Sequence, residues 1–303
     1  MSSVPRTLDD GVSRCGPGGR LWHAASVTPT LARRRFFALA PLALVAACSP
    51  RPPADPAPGA PAAPATPAPT PPVTTVPVAA DLAAPGRTPV AWGTHLPGIR
   101  DVVDGGVALT FDACGGPSGS GVDHALLDLL RAEAIPATLF LNERWVRAHE
   151  QLTAELAADP LFQIENHGSR HLPLSVDGRA AYGIAGTTSY ADARAEIESN
   201  QRTLTDVAGR TPRWFRAGTA HYDDVAVDLL TDLGLGVAGF AVNGDAGATA
   251  NPAAVEHALA GARDGAIVLA HMNQPHGGTA SGLARALPAL RAAGTTFRLL
   301  GEP

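Results

Sequence analysis

Two histidines four residues apart, His167 and His171, stand in the run Phe162-Gln163-Ile164-Glu165-Asn166-His167-Gly168-Ser169-Arg170-His171. Imidazole binds divalent metals and moves protons near neutral pH. One turn of chain between the rings would let both reach a shared ion at roughly 2.0–2.1 Å. Glu165 and Asn166 stand where they could fix the ring orientations. Two more groups occupy matching positions: Val107-Ala108-Leu109-Thr110-Phe111 runs into Asp112, and Ile267-Val268-Leu269-Ala270 runs into His271. Asp112 could act as a general base or a metal ligand, or cap a helix near Val122; His271 could donate a proton. Arg216 closes Trp214-Phe215-Arg216, and Asp245 lies in Asn243-Gly244-Asp245-Ala246-Gly247. An arginine paired with a carboxylate there would tune the base. Such side chains at strand ends on one rim describe a hydrolytic site on an α/β scaffold.

The elements that must position these groups follow from the apolar patterning. Strands are expected at 107–111, 137–141, 162–165, 213–216, 237–242, 266–270 and 296–300. Helices are expected at 123–134, 143–158, 191–208, 223–233, 252–262 and 282–292. Ser189 with Asp192 three later resembles a capping box, Gly209 follows the same helix, and Asn251-Pro252 opens another. Strands alternating with helices at this spacing imply a parallel sheet, open or closed. About 210 residues suffice for one such core.

Composition removes several function classes. A net charge of -5 and a pI near 6.0 give no footprint for nucleic acid. Every basic residue other than histidine is arginine, so Schiff-base and lysine-base chemistry are excluded. The glycine-rich loop Cys114-Gly115-Gly116-Pro117-Ser118-Gly119 lacks the spacing and the lysine of a phosphate cradle.

The chain divides into three parts. Residues 1–47 are expected to be an export signal and leader: Arg33-Arg34-Arg35-Phe36-Phe37 precedes a short apolar run from Ala38 to Ala47, as in a twin-arginine signal. Val45-Ala46-Ala47-Cys48 resembles a lipobox, which makes Cys48 the lipidated first residue of a protein anchored to the cell envelope, periplasmic or at the cell surface. Residues 48–89 are expected to be a Pro/Ala-rich disordered tether, able to reach on the order of 100 Å. Residues 90–303 form the catalytic domain, whose single cysteine, Cys114, leaves no intrachain disulfide after processing.

From about Val107 to Leu300 the chain resembles the polysaccharide deacetylase family, the NodB-homology domain of carbohydrate esterase family 4. Thr110-Phe111-Asp112, Asn166-His167-Gly168-Ser169-Arg170-His171, Phe215-Arg216-Ala217-Gly218-Thr219, Asp245 and Leu269-Ala270-His271 follow the order of its five motifs. The resemblance implies a distorted (β/α)7 barrel and hydrolysis of acetyl groups on peptidoglycan or chitin-like polysaccharide. It implies a divalent metal, zinc for preference, on His167 and His171. Asp112 would be the base, His271 the acid, and Asp245 would support the base through Arg216. The family places a second aspartate, a metal ligand, directly after the base; here that position is Ala113. Asp112 or Cys114 could replace the ligand, or the site could bind metal weakly or not at all. Two alternatives accompany the deacetylase reading: a catalytically impaired carbohydrate-binding module, and a small-amide hydrolase of the same fold.

Overall fold

The structure, a computed structural model, describes residues 86–303. The expected signal, Cys48 and nearly all of the tether lie outside the described residues.

Strand β3 (Val107–Ala113) shows how the sequence builds the sheet. All seven of its residues are buried, as expected of a parallel strand covered on both faces. Alternate side chains go to different cores. Val107, Leu109, Phe111 and Ala113 join a cluster with Leu126, Leu127 and Leu130 of helix α1 (His124–Ala132). Ala108 instead packs with Phe140, Trp214, Ala238, Ile267 and Leu300 inside the curl of the sheet. Thr110 and Asp112 share the face of Ala108 by the two-residue period of a strand.

Nine strands form one sheet, and every pairing in it is parallel. The order is β2 (Ile99–Arg100), β8 (Gly236–Ala238), β6 (Trp214–Phe215), β5 (Phe162–Asn166), β4 (Ala137–Leu141), β3, β10 (Ile267–His271) and β9 (Val242–Asn243). Strand β11 (Phe297–Arg298) pairs with the start of β3. Asp101 ties the two ends of the sheet together: its carbonyl accepts from Ile267 N at 3.1 Å and its carboxylate from Phe240 N at 3.0 Å. The result is the curled (β/α) barrel of the NodB-homology type that the sequence implies.

Helices α1, α2 (Glu143–Ala148), α3 (Glu150–Ala158), α4 (Tyr190–Ala208), α5 (Asp224–Asp232), α6 (Pro252–Ala260) and α7 (Thr279–Ala292) complete the described chain. Ser189 accepts from Asp192 N and Gly209 closes α4 in the left-handed region, as its capping signals require. Asp123, not Asp112, caps α1, by accepting from Leu126 N at 3.0 Å.

Three expectations need correction. The single helix at 143–158 is two helices, because His149 leaves helical geometry at φ -140 and ψ 43 and its Nε2 donates to the Ser120 carbonyl at 2.8 Å. The strand at 237–242 breaks between β8 and β9, where the Gly239 carbonyl turns to accept from Arg216. A two-stranded antiparallel ribbon, β1 (Trp92–Gly93) with β7 (Tyr222–Asp223), was not expected, since two-residue strands carry no periodicity.

Candidate active site

The sheet register brings the chemistry together. His271 is the neighbour of Asp112 across β10 and β3, and Asn166 ends β5 just before His167. All these strands run the same way, so their ends share one rim.

Asp112 is 3 % exposed and Arg216 is fully buried. Arg216 NH1 donates to Asp112 Oδ1 at 2.9 Å and to Thr110 Oγ1 at 2.8 Å. NH2 donates to the Gly239 carbonyl at 2.9 Å and Nε to the Ala238 carbonyl at 3.3 Å. The guanidinium also lies 4.3 Å from the Phe140 ring centroid, a cation–π contact in a desolvated setting. Burial pushes the Asp112 carboxyl up, but the charges of Arg216, His167 and His271 outweigh it and hold the group below its usual range. Asp112 is therefore an ionised, oriented carboxylate.

His271 is held by a second pair. Asp245 Oδ1 lies 2.9 Å from His271 Nδ1, and Asp245 Oδ2 accepts from the His271 backbone N–H at 2.7 Å and from Thr279 Oγ1 at 2.9 Å. Burial opposes charging of the ring, but the bond to Asp245 and the nearby Cys114 more than offset it, so His271 titrates well above an ordinary histidine. This corrects one sequence expectation: Asp245 bonds His271, while Arg216 reaches Asp112 directly.

His167 is 1 % exposed, and its Nδ1 lies 2.8 Å from the Arg216 carbonyl oxygen. A carbonyl only accepts, so Nδ1 carries a proton and Nε2 is the ring nitrogen turned toward the site; burial opposes charging of this ring, but Asp112 and Cys114 beside it raise its pKa above the ordinary value. Nε2 faces Asp112 Oδ2 at 3.7 Å and Cys114 Sγ at 3.9 Å. His171 completes the group: its ring centroid is 4.9 Å from that of His167, nearly perpendicular at 80°. The ligand atoms of Cys114, His167 and His171 all lie within 4.8 Å of one another. Two imidazoles and a thiol converging this closely fit a divalent metal. Asp112, expected as base and as ligand, stands outside that cluster, with one oxygen committed to Arg216.

Backbone strain marks the same rim. His171 has φ 64, Thr219 φ 79 and Ala220 φ 53, conformations that non-glycine residues adopt at a cost of order 1–3 kcal/mol each. Gly218 lies so close to the His171 backbone that an added Cβ would meet its carbonyl carbon at 2.4 Å. On the other side, Gly115 lies against the start of α2, where a Cβ would meet Trp145 N at 2.7 Å. The glycine-rich loop is thus pinned: Arg144 donates to the Cys114 carbonyl at 3.2 Å and Trp145 Nε1 to the Gly121 carbonyl at 2.9 Å.

Sequence reasoning gave little weight to Cys114 and none to Thr110, Phe140 or Thr279. Thr110 and Phe140 share the inward face of Asp112, a signal available from strand alternation. Thr279 carried no such signal.

Residues 100–238 match the family model described as polysaccharide deacetylase. The fold is similar to that of BA3943 from Bacillus anthracis, described as a carbohydrate esterase family 4 pseudoenzyme, at 22% identity and TM-score 0.52 over 63% of this chain and 62% of that one. It is also similar to a family 4 carbohydrate esterase from Streptomyces lividans in complex with acetate, at 23% identity and TM-score 0.54 over 65% of this chain and 93% of that one. In sequence it resembles YlxY of Bacillus subtilis, described as uncharacterized, at 23% identity over 184 residues, 58% of this chain and 52% of that one. The match thus spans about half the length of that relative. Residues 100–238 carry the match to the polysaccharide deacetylase family, within a fold of the NodB-homology type.

Proposed function

We propose that this protein is an exported, metal-dependent hydrolase that removes acetyl groups from cell-envelope or extracellular polysaccharide. The observation that carries the reading is the pair of buried charged couples on one rim, Asp112 with Arg216 and His271 with Asp245, beside the histidines His167 and His171. Their opposite protonation supplies a base and an acid in one site, the separation that acyl-group hydrolysis needs.

His167 and His171, with a third donor from the loop after β3, would hold a divalent metal, zinc for preference. When bound, such an ion polarises an acetyl carbonyl and lowers the pKa of a coordinated water. The chain's own groups do the rest. Asp112 Oδ2, which Arg216 leaves free, takes the proton of the attacking water. Arg216 keeps that carboxylate ionised and aimed. His271 delivers its proton to the leaving nitrogen or oxygen of the sugar, and Asp245 holds the ring in position for it. Pinning of the glycine-rich loop against α2 limits motion of Cys114, two residues after the base.

Purified full-length protein, supplied with zinc, should release acetate from acetylated peptidoglycan or chitin oligosaccharides and lose that activity with a chelator. Activity on small amides alone would reassign the substrate. A second reading, a glycan-binding module without turnover, is favoured by one observation: Ala113 is buried in the helix-side core where the family has an aspartate. Glycan binding without acetate release, in metal-loaded protein, would select it.

The segment around Arg33 to Cys48 supports export and lipid anchoring. Replacing Cys48 with Ala should move the protein from the membrane fraction to the soluble fraction; unchanged fractionation would remove the anchor.

A further inference from the structure

We infer that Cys114 is the third protein ligand of the metal site, giving a thiolate–bis-imidazole donor set in place of the family's aspartate. The inference deepens the metal-dependent reading above and rests on it.

Three observations carry it. First, alternation along β3 sends Asp112 inward and Ala113 outward into the helix-side cluster, so the next side chain able to face the inner rim is that of Cys114. Second, the spacing fits. Zinc bonds of roughly 2.0–2.1 Å to nitrogen and 2.3 Å to sulfur, at a tetrahedral angle, separate those ligands by roughly 3.6 Å. Cys114 Sγ stands 3.9 Å from His167 Nε2, and His171 closes a triangle no wider than 4.8 Å. Third, Nδ1 of His167 is committed to the Arg216 carbonyl, so the buried Nε2 is the ring nitrogen that faces Asp112 and Cys114. Neither neighbour of that nitrogen is a strong donor: one is a carboxylate and the other a thiol. A cation placed among these atoms satisfies all of them.

Two consequences separate this site from an oxygen-containing one. A thiolate selects zinc, cadmium and cobalt over magnesium, manganese and calcium. It also leaves Asp112 wholly to proton transfer, since no carboxylate is needed to complete the triad.

The test uses the full chain with Cys15→Ser and Cys48→Ser, so that Cys114 is the only thiol. Cobalt titration should give one ion per chain with a sulfur-to-cobalt charge-transfer band in the near ultraviolet, and bound zinc should shield the thiol from a disulfide reagent. Cys114→Ser should abolish the band and weaken zinc binding by at least ~10²-fold, beyond what loss of an outer-shell partner costs. Cys114→Asp should restore binding without the band and shift preference toward manganese. Stoichiometric cobalt without a charge-transfer band, and a thiol still reactive in the zinc form, would overturn the ligand assignment while leaving the metal hydrolase intact. No metal bound by any form, with no metal-dependent acetate release, would overturn both. An acetyl thioester trapped on Cys114 in metal-free protein would overturn it in a third way, with the cysteine attacking the acetyl carbon, the C–N or C–O bond breaking, and His271 protonating the departing sugar.

Discussion

Asp112 and Glu165 are both buried carboxylates, on strands separated only by β4, and Phe140 is the register neighbour of each. Their protonation goes opposite ways. Glu165 accepts from the backbone N–H groups of Arg213 and Trp214, both at 2.7 Å, and from Gln163 Nε2 at 2.7 Å. Burial nonetheless pushes its carboxyl up to about 7. At Asp112 the charges of Arg216, His167 and His271 reverse the effect of burial. At Glu165 the hydrogen bonds do not offset burial, whereas at Asp112 the neighbouring charges do. The barrel therefore uses one carboxylate to clamp the start of β6 and the other as an anionic tool.

The largest disturbance of this contrast is Arg216→Met. It leaves Asp112 buried without its counter-charge, a loss of about 3–5 kcal/mol that urea unfolding would measure. In whatever fraction folds, the acidic limb of kcat/KM should move to higher pH, because Asp112 would lose the largest charge that holds its carboxyl down. An unmoved limb would remove Asp112 as the base.

Asp112→Asn comes next. Acetate release should fall on the order of 10³-fold, within the range for loss of a general base. Stability should fall less than in Arg216→Met, since Arg216 keeps Thr110 and the carbonyls of Ala238 and Gly239 as acceptors. Retained turnover in a folded variant would break the comparison outright.

Asp245→Asn tests the acid side. Because His271 has a raised pKa in the folded state, its pairing contributes stability that is complete below about 6.5 and is lost as pH rises through the raised value. The variant should lower the alkaline limb of kcat/KM toward an ordinary histidine and cost roughly 10²-fold in rate. Asp112 works in the opposite direction: its contribution is present above its ordinary value and lost as pH falls through the depressed one.

The smallest effect is Glu165→Gln. A carboxyl raised from 4.5 to about 7 makes the wild-type fold lose stability as pH rises across that window, by at most about 3 kcal/mol. The glutamine variant should show a flatter stability–pH curve there and unaltered acetate release. An unchanged slope would mean that Glu165 ionises as freely in the fold as in the unfolded chain.

Much of the scaffold was legible in the sequence because it rests on local patterns. Seven apolar runs, the Ser189 cap and the Gly209 stop locate strands and helices without knowledge of their neighbours, and the runs into Asp112 and His271 mark where the chain leaves the sheet. The histidine pair was legible for the same reason, as four residues of spacing on one loop. Composition likewise excluded lysine chemistry outright.

Tertiary structure alone decided who meets whom. That Asp245 bonds His271 and Arg216 bonds Asp112 depends on β3, β6 and β10 being wound into one curl, 104 residues apart in the case of Arg216 and Asp112. Cys114 read as a small residue in a glycine loop, and only the folded rim shows its sulfur beside two imidazoles. Periodicity carries information over a few residues, whereas ion pairs and ligand sets close over a hundred; the physical contact that sets their protonation has no local trace.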